Sequence, residues 1–431
     1  MAYVYVTVRG VIASKTDKRW RCGAIGVLAL TLLGGCSSDK DELEASAGGS
    51  AVNGGSGGSH SAGSSSRPSP SAGKGGSGSI TPIGGGKSSA AEVARKLGRE
   101  PNFLIGMGND LPENYKWAES GIYTLGAQLD LHYVYLTKGW QDWNPGGYFA
   151  QEVAKVDITK HTTPMSTIYA IAGNGENNFD TLVDDKYMTD YWAAAKLLMV
   201  RYAELDVPAL VHLEPDFWAY AQQKSGGDPA TVPAHLSADC PGLPADVSGM
   251  ARCWIKLARD NAPKVVVGMH ASSWGGGDGN DVGAFLNELG VAEADLVIID
   301  MLDRDAGCFE DAKLPQCMRG GSFYLDETNK TSPNYAEELE FAKQVSTTTS
   351  KPILWWQLPL GVPSDKPGGT SGHFRDNKVH YVFSHIQEFV DAGGVGATFG
   401  TGSSDQTTVA TDGGQMKAAV AAYTAAPVPL P

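Results

Sequence analysis

Between residues 103 and 399 the chain alternates between two hydrophobic patterns. Short uninterrupted apolar runs, rich in β-branched and aromatic residues, predict strands buried on both faces. They cover residues 103–107, 132–137, 166–172, 209–213, 265–269, 296–300, 353–357 and 395–399. Between them, apolar residues recur at helical spacing over 184–204, 247–259, 282–289, 335–345 and 379–392. Tyr187, Tyr191, Leu197 and Leu198, for instance, share one face of the first of these. Strands alternating with helices predict a parallel sheet built from βα units. Eight such units predict an α/β fold of the closed (β/α)8 TIM type. An open doubly wound sheet is the alternative. It would carry a Gly-rich dinucleotide turn after the first strand, where the chain reads Gly106-Met107-Gly108-Asn109-Asp110.

The pattern stops upstream of residue 91. From Ala47 to Ala90 there are 14 Gly and 13 Ser in 44 residues and no aromatic, too little apolar surface to offset the entropy of ordering. Residues 36–90 are therefore expected to be a flexible tether, spanning roughly 35–40 Å on average at ~5–6 Å times the square root of its length. Before it, Arg9, Lys15, Lys18, Arg19 and Arg21 precede an apolar stretch over 23–33, the order of an export signal. That stretch is shorter than the ~20 residues of a membrane-spanning helix. Its end, Leu33-Gly34-Gly35-Cys36, resembles the lipobox of bacterial lipoproteins, which implies cleavage after residue 35 and acylation of Cys36. The expected division is thus a signal over 1–35, the tether over 36–90 and a barrel over 91–431. The expected location is the bacterial cell envelope. Ser37 after the cysteine favours the outer membrane by the same resemblance.

The chain has 34 basic and 48 acidic residues, net −14, and loss of residues 1–35 takes this to −18. No basic footprint remains for a nucleic acid or an anionic membrane face. The membrane enters only through the lipid, and a monomer is expected. With Cys22 in the signal and Cys36 acylated, Cys240, Cys253, Cys308 and Cys317 remain, an even number in an exported chain. Near-neighbour pairs Cys240–Cys253 and Cys308–Cys317 are expected; zinc is the alternative, without CxxC spacing to support it.

In such a barrel, chemistry gathers at the carboxyl ends of the strands. There the chain places Asn109 and Asp110; Lys138, Trp140 and Trp143; Asn174 and Glu176; Glu214 and Asp216; His270 and Trp274; Asp300, Asp303 and Asp305; Trp355, Trp356 and Gln357; and Asp405 and Gln406. Carboxylates, amides and indoles on one rim suit a sugar, whose hydroxyls need polar partners and whose ring faces stack on aromatics. Trp140, Trp143, Asn174, His270, Trp274, Asp300, Trp356 and Gln357 are the candidate substrate-binding residues. Successive strand residues alternate, so Trp355 and Trp356 cannot both face the interior. His132, His212 and His270 could together hold a metal, but no paired spacing supports it, and no metal or cofactor is expected. The sharpest feature is His212-Leu213-Glu214-Pro215-Asp216. Two carboxylates so close cannot both ionise freely, so one becomes a proton donor.

At this motif the chain resembles glycoside hydrolases. In the retaining barrel enzymes the acid/base is a Glu ending strand four and the nucleophile a Glu ending strand seven. Glu214 matches the first, but strand seven ends Trp355-Trp356-Gln357, and an amide cannot be the nucleophile. The chain also resembles the cellulases of glycoside hydrolase family six, whose acid is the Asp of a Glu-Pro-Asp triplet, here Asp216. The likeness continues through a cysteine-bounded segment, a helix and a strand to a Gly/Trp-rich loop with His270 and Trp274. That family's Asp-Arg-Asp element, matched by Asp303-Arg304-Asp305, precedes the triplet in the family and follows it here. The resemblance implies hydrolysis of a polysaccharide, with Asp216 or Glu214 as acid and Asp303 or Asp305 as the other catalytic carboxylate. An inverting base would stand about 6.5–9.5 Å from the acid. Asp376 is a further candidate, beside a Gly-rich segment, 366–370, that reads as a lid. The alternative is a barrel that binds glycans without cleaving them.

Overall fold

The computed structural model describes residues 88–108, 110, 121–144, 146–318, 324–363, 369–403 and 405–431. The signal, Cys36, almost all of the tether, Asn109 and residues 366–368 of the expected lid lie outside them. Eight parallel strands close into a barrel in chain order: β1 (Leu104–Gly108), β2 (Leu131–Thr137), β3 (Thr163–Tyr169), β4 (Ala209–Leu213), β5 (Val265–Ala271), β6 (Leu296–Asp300), β7 (Ile353–Leu358) and β8 (Gly394–Gly400). The closing pair sets Leu104 beside Gly396 and Gly108 beside Gly400. A register irregularity between β7 and β8 falls between Trp355 and Leu358, next to Gln357.

Nearly every strand residue is buried, because helices cover the outside and side chains fill the inside. The helix Asp185–Leu205 begins where the Asp184 side chain accepts from the Tyr187 amide at 2.8 Å, and it ends at Asp206 in a left-handed conformation. The helix Val247–Asn261 starts at Asp246, which accepts from the Ser248 and Gly249 amides. Its Cys253 bonds to Cys240, and Cys308 bonds to Cys317, the two expected pairs. The helix Tyr335–Thr349 opens on a capping box of Asn334 and Glu337. The helix expected over 379–392 is instead two, Lys378–Ser384 and Ile386–Asp391, parted where His385 leaves helical geometry and stacks on Tyr381. At the C-terminal end of the chain, Tyr423 donates to the Phe103 carbonyl ahead of β1, tying the last helix to the first strand. Among the described residues no helix is long and apolar enough to cross a membrane.

Candidate active site

The exit from β4 is where the backbone is most unusual. Glu214 and Asp216, on either side of Pro215, have φ of 41° and 68°, and two further non-glycine residues of the rim, Gln357 and Asp405, are also left-handed. Such conformations cost about 1–3 kcal/mol each and survive only where surrounding contacts enforce them. The two turns send the carboxylates in opposite directions. Glu214 goes outward, accepting from the amides of Ala170 and Ile171 at 3.1 Å and from Tyr191 of the helix Asp185–Leu205. Asp216 goes to the barrel mouth.

There Asp216 meets a network led by Tyr169, the last residue of β3. The Tyr169 hydroxyl donates to Glu176 Oε1 at 2.8 Å and lies 3.4 Å from Asp216 Oδ2. Tyr220 donates to Glu176 Oε2 at 3.2 Å and packs its ring edge-on against Trp274. Asp216 is only 8% exposed. Burial pushes its carboxyl well above the ordinary range; the charges of Asp300, Glu176 and Asp303 push the same way, and the Tyr169 hydroxyl offsets them in part. A carboxyl whose proton is held more tightly than usual is suited to donate it to a leaving group.

Asp300 ends β6 and Asp303 follows in its loop, so both lie at the same end of the barrel as Asp216, which follows β4. Asp300 is in register with Trp356 of β7. Trp356 packs against Tyr133 and Tyr135 of β2, His212 of β4 and His270 of β5, so its indole crosses the interior. Trp355 faces outward onto Phe389, as alternation requires. Buried at this mouth, the Trp356 indole nitrogen and the Tyr133 hydroxyl have no hydrogen bond among the described residues, and Asp300 Oδ1 has only a 3.5 Å charge contact with His270 Nε2. Buried polar atoms are rarely left so, and these are suited to a polar ligand. The Tyr135 hydroxyl donates to Gln357 Oε1 at 2.7 Å, and the Gln357 amide donates to the Gly402 carbonyl.

Other expectations are corrected. Glu214 is fully buried with its oxygens held by β3 amides, so it does not share the mouth with Asp216. Burial raises it to about 8. Asp305 is also fully buried: Oδ1 accepts from Gly361, and Oδ2 from the Thr407 amide and hydroxyl. Burial and Asp376 raise it to about 7. Asp376 accepts from the Ala306 and Lys378 amides and faces the Lys378 ammonium, which leaves it no part in a reaction at the mouth. Asp303 stays half-buried and is paired with Arg304. Trp140 belongs to the core, whereas Trp143 and Trp274 are exposed at 40% and 36%. Trp356 and Gln357 line the interior instead of forming an open platform. Asn174 is exposed and spends its amide on Thr181.

The three histidines are not brought together. His132 is clamped between Asp110 and Asp157, while His212 Nε2 and His270 Nδ1 face each other at 3.0 Å. Among the described residues no group of three or more His, Cys, Asp and Glu is arranged to hold a metal ion. At the opposite end of the barrel a surface cavity is lined by Lys96, Arg259 and Lys351, but the first two pair with Asp295 and the third donates to the carbonyls of Ala292 and Ala294. Tyr169 and Tyr220 are the site residues that sequence reasoning did not select, and Glu176, which the sequence places on the rim, gains its role only from their hydrogen bonds. The available signal was Tyr169 itself, an aromatic hydroxyl at the end of strand three.

No family model matches the chain, and no curated protein matches it by sequence. It is similar to solved structures that include the endoglucanase Cel6 from Mycobacterium tuberculosis, at 17% identity over 64% of this chain and 71% of that one, TM-score 0.33. Another is a family 39 glycoside hydrolase from Bacteroides cellulosilyticus, at 13% identity over 75% of this chain and 64% of that one, TM-score 0.43. A third is the D-psicose 3-epimerase from Clostridium cellulolyticum, at 12% identity over 75% of this chain and 99% of that one, TM-score 0.39. All three overlays fall below a TM-score of 0.5, so a functional reading has to stand on the geometry of the barrel mouth.

Proposed function

We propose that the chain is a glycoside hydrolase acting on a polysaccharide, with Asp216 as the general acid and a carboxylate at the end of β6 as its counterpart. The observation that carries the reading is the buried Asp216 at the end of β4, beside the Tyr169 hydroxyl, with its carboxyl raised by burial and by the charges of Asp300, Glu176 and Asp303. A glycosidic oxygen leaves as an alcohol once protonated, which is the task of such a group. A single, inverting displacement is favoured by Gln357: where retaining barrel enzymes present a nucleophilic Glu, this chain has an amide already bonded to Tyr135 and Gly402. Trp274, exposed beside Tyr220, supplies an aromatic surface for a sugar ring near the acid. Acylation at Cys36 and a location on the cell envelope belong to the same proposal.

The test is release of reducing ends from soluble β-glucans, xylans, mannans and α-glucans by the full chain and by Asp216→Asn. Loss of about 10²–10⁴-fold in the variant, with unchanged circular dichroism, is expected. Polysaccharide binding without release from any substrate would establish the non-catalytic barrel instead.

A further inference from the structure

Beneath the mouth lies a buried row of polar side chains that the proposed reaction has not yet used. Thr167 Oγ1 is 3.3 Å from His212 Nδ1, His212 Nε2 is 3.0 Å from His270 Nδ1, and His270 Nε2 is 3.0 Å from Ser272 Oγ and 3.5 Å from Asp300 Oδ1. Both rings are enclosed by the barrel, with Trp356 across them. Burial and the neighbouring His270 push His212 well below the ordinary histidine range, so it is neutral at pH 7 and carries one ring proton.

A contact between two ring nitrogens holds one proton, so with both rings neutral the row runs in one of two directions. In one, Thr167 donates to His212, His212 to His270, and the His270 Nε2–H points at Ser272 and Asp300. In the other, a nitrogen lone pair faces the Asp300 carboxylate. The negative charge selects the first. Asp300 Oδ1 is buried, so the 23% of the side chain that is exposed lies on its other atoms, on the far side from the imidazole. Asp303, by contrast, is ion-paired with Arg304.

We propose that Asp300 is the general base, taking a proton from the attacking water, and that His270, aligned by His212, is a positioning residue that fixes its carboxylate. The assignment rests on the glycosidase reading. In the step, the water oxygen bonds to the anomeric carbon as the bond to the glycosidic oxygen breaks. Asp216 gives its proton to that leaving oxygen, Asp300 receives one from the water, and exchange with solvent restores both.

The experiment compares the polysaccharide cleaved by the full chain with the matching 2,4-dinitrophenyl glycosides, whose leaving group needs no proton. Asp216→Ala should lose far less on the aryl glycosides than on the polysaccharide. Asp300→Ala and the isosteric Asp300→Asn should lose about 10²–10⁴-fold on both. Sodium azide should restore Asp300→Ala alone, giving a glycosyl azide of inverted configuration. His270→Ala should lower kcat with KM unchanged, and His270→Gln, whose amide can present an N–H near the Nε2 position, should recover most of it. Folding of each variant is checked by circular dichroism. If Asp216→Ala behaves as an acid variant while both Asp300 variants stay within about tenfold of the wild type, or if azide rescues Asp303→Ala instead, the base assignment is overturned and the glycosidase reading stands. If the wild-type chain cleaves nothing, both fall.

Discussion

His132 offers the most direct quantitative test of how this barrel is held together. Its side chain leaves β2 toward the helix Phe149–Thr159, where Nδ1 meets Asp157 at 2.7 Å and Nε2 meets Asp110 at 2.9 Å. Burial alone would strip the ring of its charge, but the two carboxylates outweigh it and raise His132 from 6.5 to about 10. That displacement corresponds to about 5 kcal/mol in favour of the protonated ring. Deleting one member of a buried pair costs about 3–5 kcal/mol, because the remaining charges are left uncompensated. His132→Gln should therefore lower unfolding free energy by about 3–5 kcal/mol near pH 6. The folded value lies above the unfolded one, so this stabilisation is complete below pH 6.5 and disappears as pH rises toward 10. The gap between wild type and variant should accordingly narrow by most of its size from pH 6 to pH 9.5. Urea denaturation followed by tryptophan fluorescence at pH 6, 8 and 9.5 measures it. A gap under about 1 kcal/mol at pH 6, or one that does not change with pH, would refute the charged-clamp account.

Two further perturbations probe the mouth. A methyl group at Gly402 would stand 1.4 Å from the Asp303 carbonyl oxygen, so Gly402→Ala must displace one loop or the other. A kcat about 10²-fold lower with unchanged circular dichroism is expected, since misplacements near 1 Å cost that much; an unchanged kcat would remove the Asp303 loop from the machinery. Glu214→Ala should cost about 1–3 kcal/mol in urea denaturation by orphaning the Ala170 and Ile171 amides. Glu214→Gln, which keeps an acceptor, should recover most of it, and equal losses in the two variants would contradict the role given to those amides.

The barrel was legible because a strand buried on both faces has a distinctive run of residues. The fourth and sixth strands fall on the expected residues, 209–213 and 296–300. The third was displaced: the apolar run Ala170-Ile171-Ala172 continues beyond the true end at Tyr169, and Pro164 obscures the true start. That error hid Tyr169 inside a strand when it is the residue that points at Asp216. The helices Phe149–Thr159 and Phe217–Ser225 were missed because polar residues interrupt their apolar faces. Within the site, the position of Asp216 just beyond the end of β4 was legible from its motif. Glu214 and Asp305 were misread because composition does not reveal which way a side chain leaves a left-handed turn, nor which carboxylate a neighbouring loop will claim with its amides.

The hydrogen bonds of Asp305 and Asp376 have a consequence for how this rim could change. In a barrel of this type each strand-to-helix loop is ordinarily an independent module that can be lengthened or exchanged without disturbing the rest. Here Asp305, after β6, accepts from Gly361 after β7 and from Thr407 after β8, and Asp376 accepts from Ala306. Three of the eight loops are therefore inherited as one piece. Substitutions among them should be strongly non-additive. A laboratory attempt to graft a new specificity would succeed by replacing all three together or by working on the loops after the first five strands.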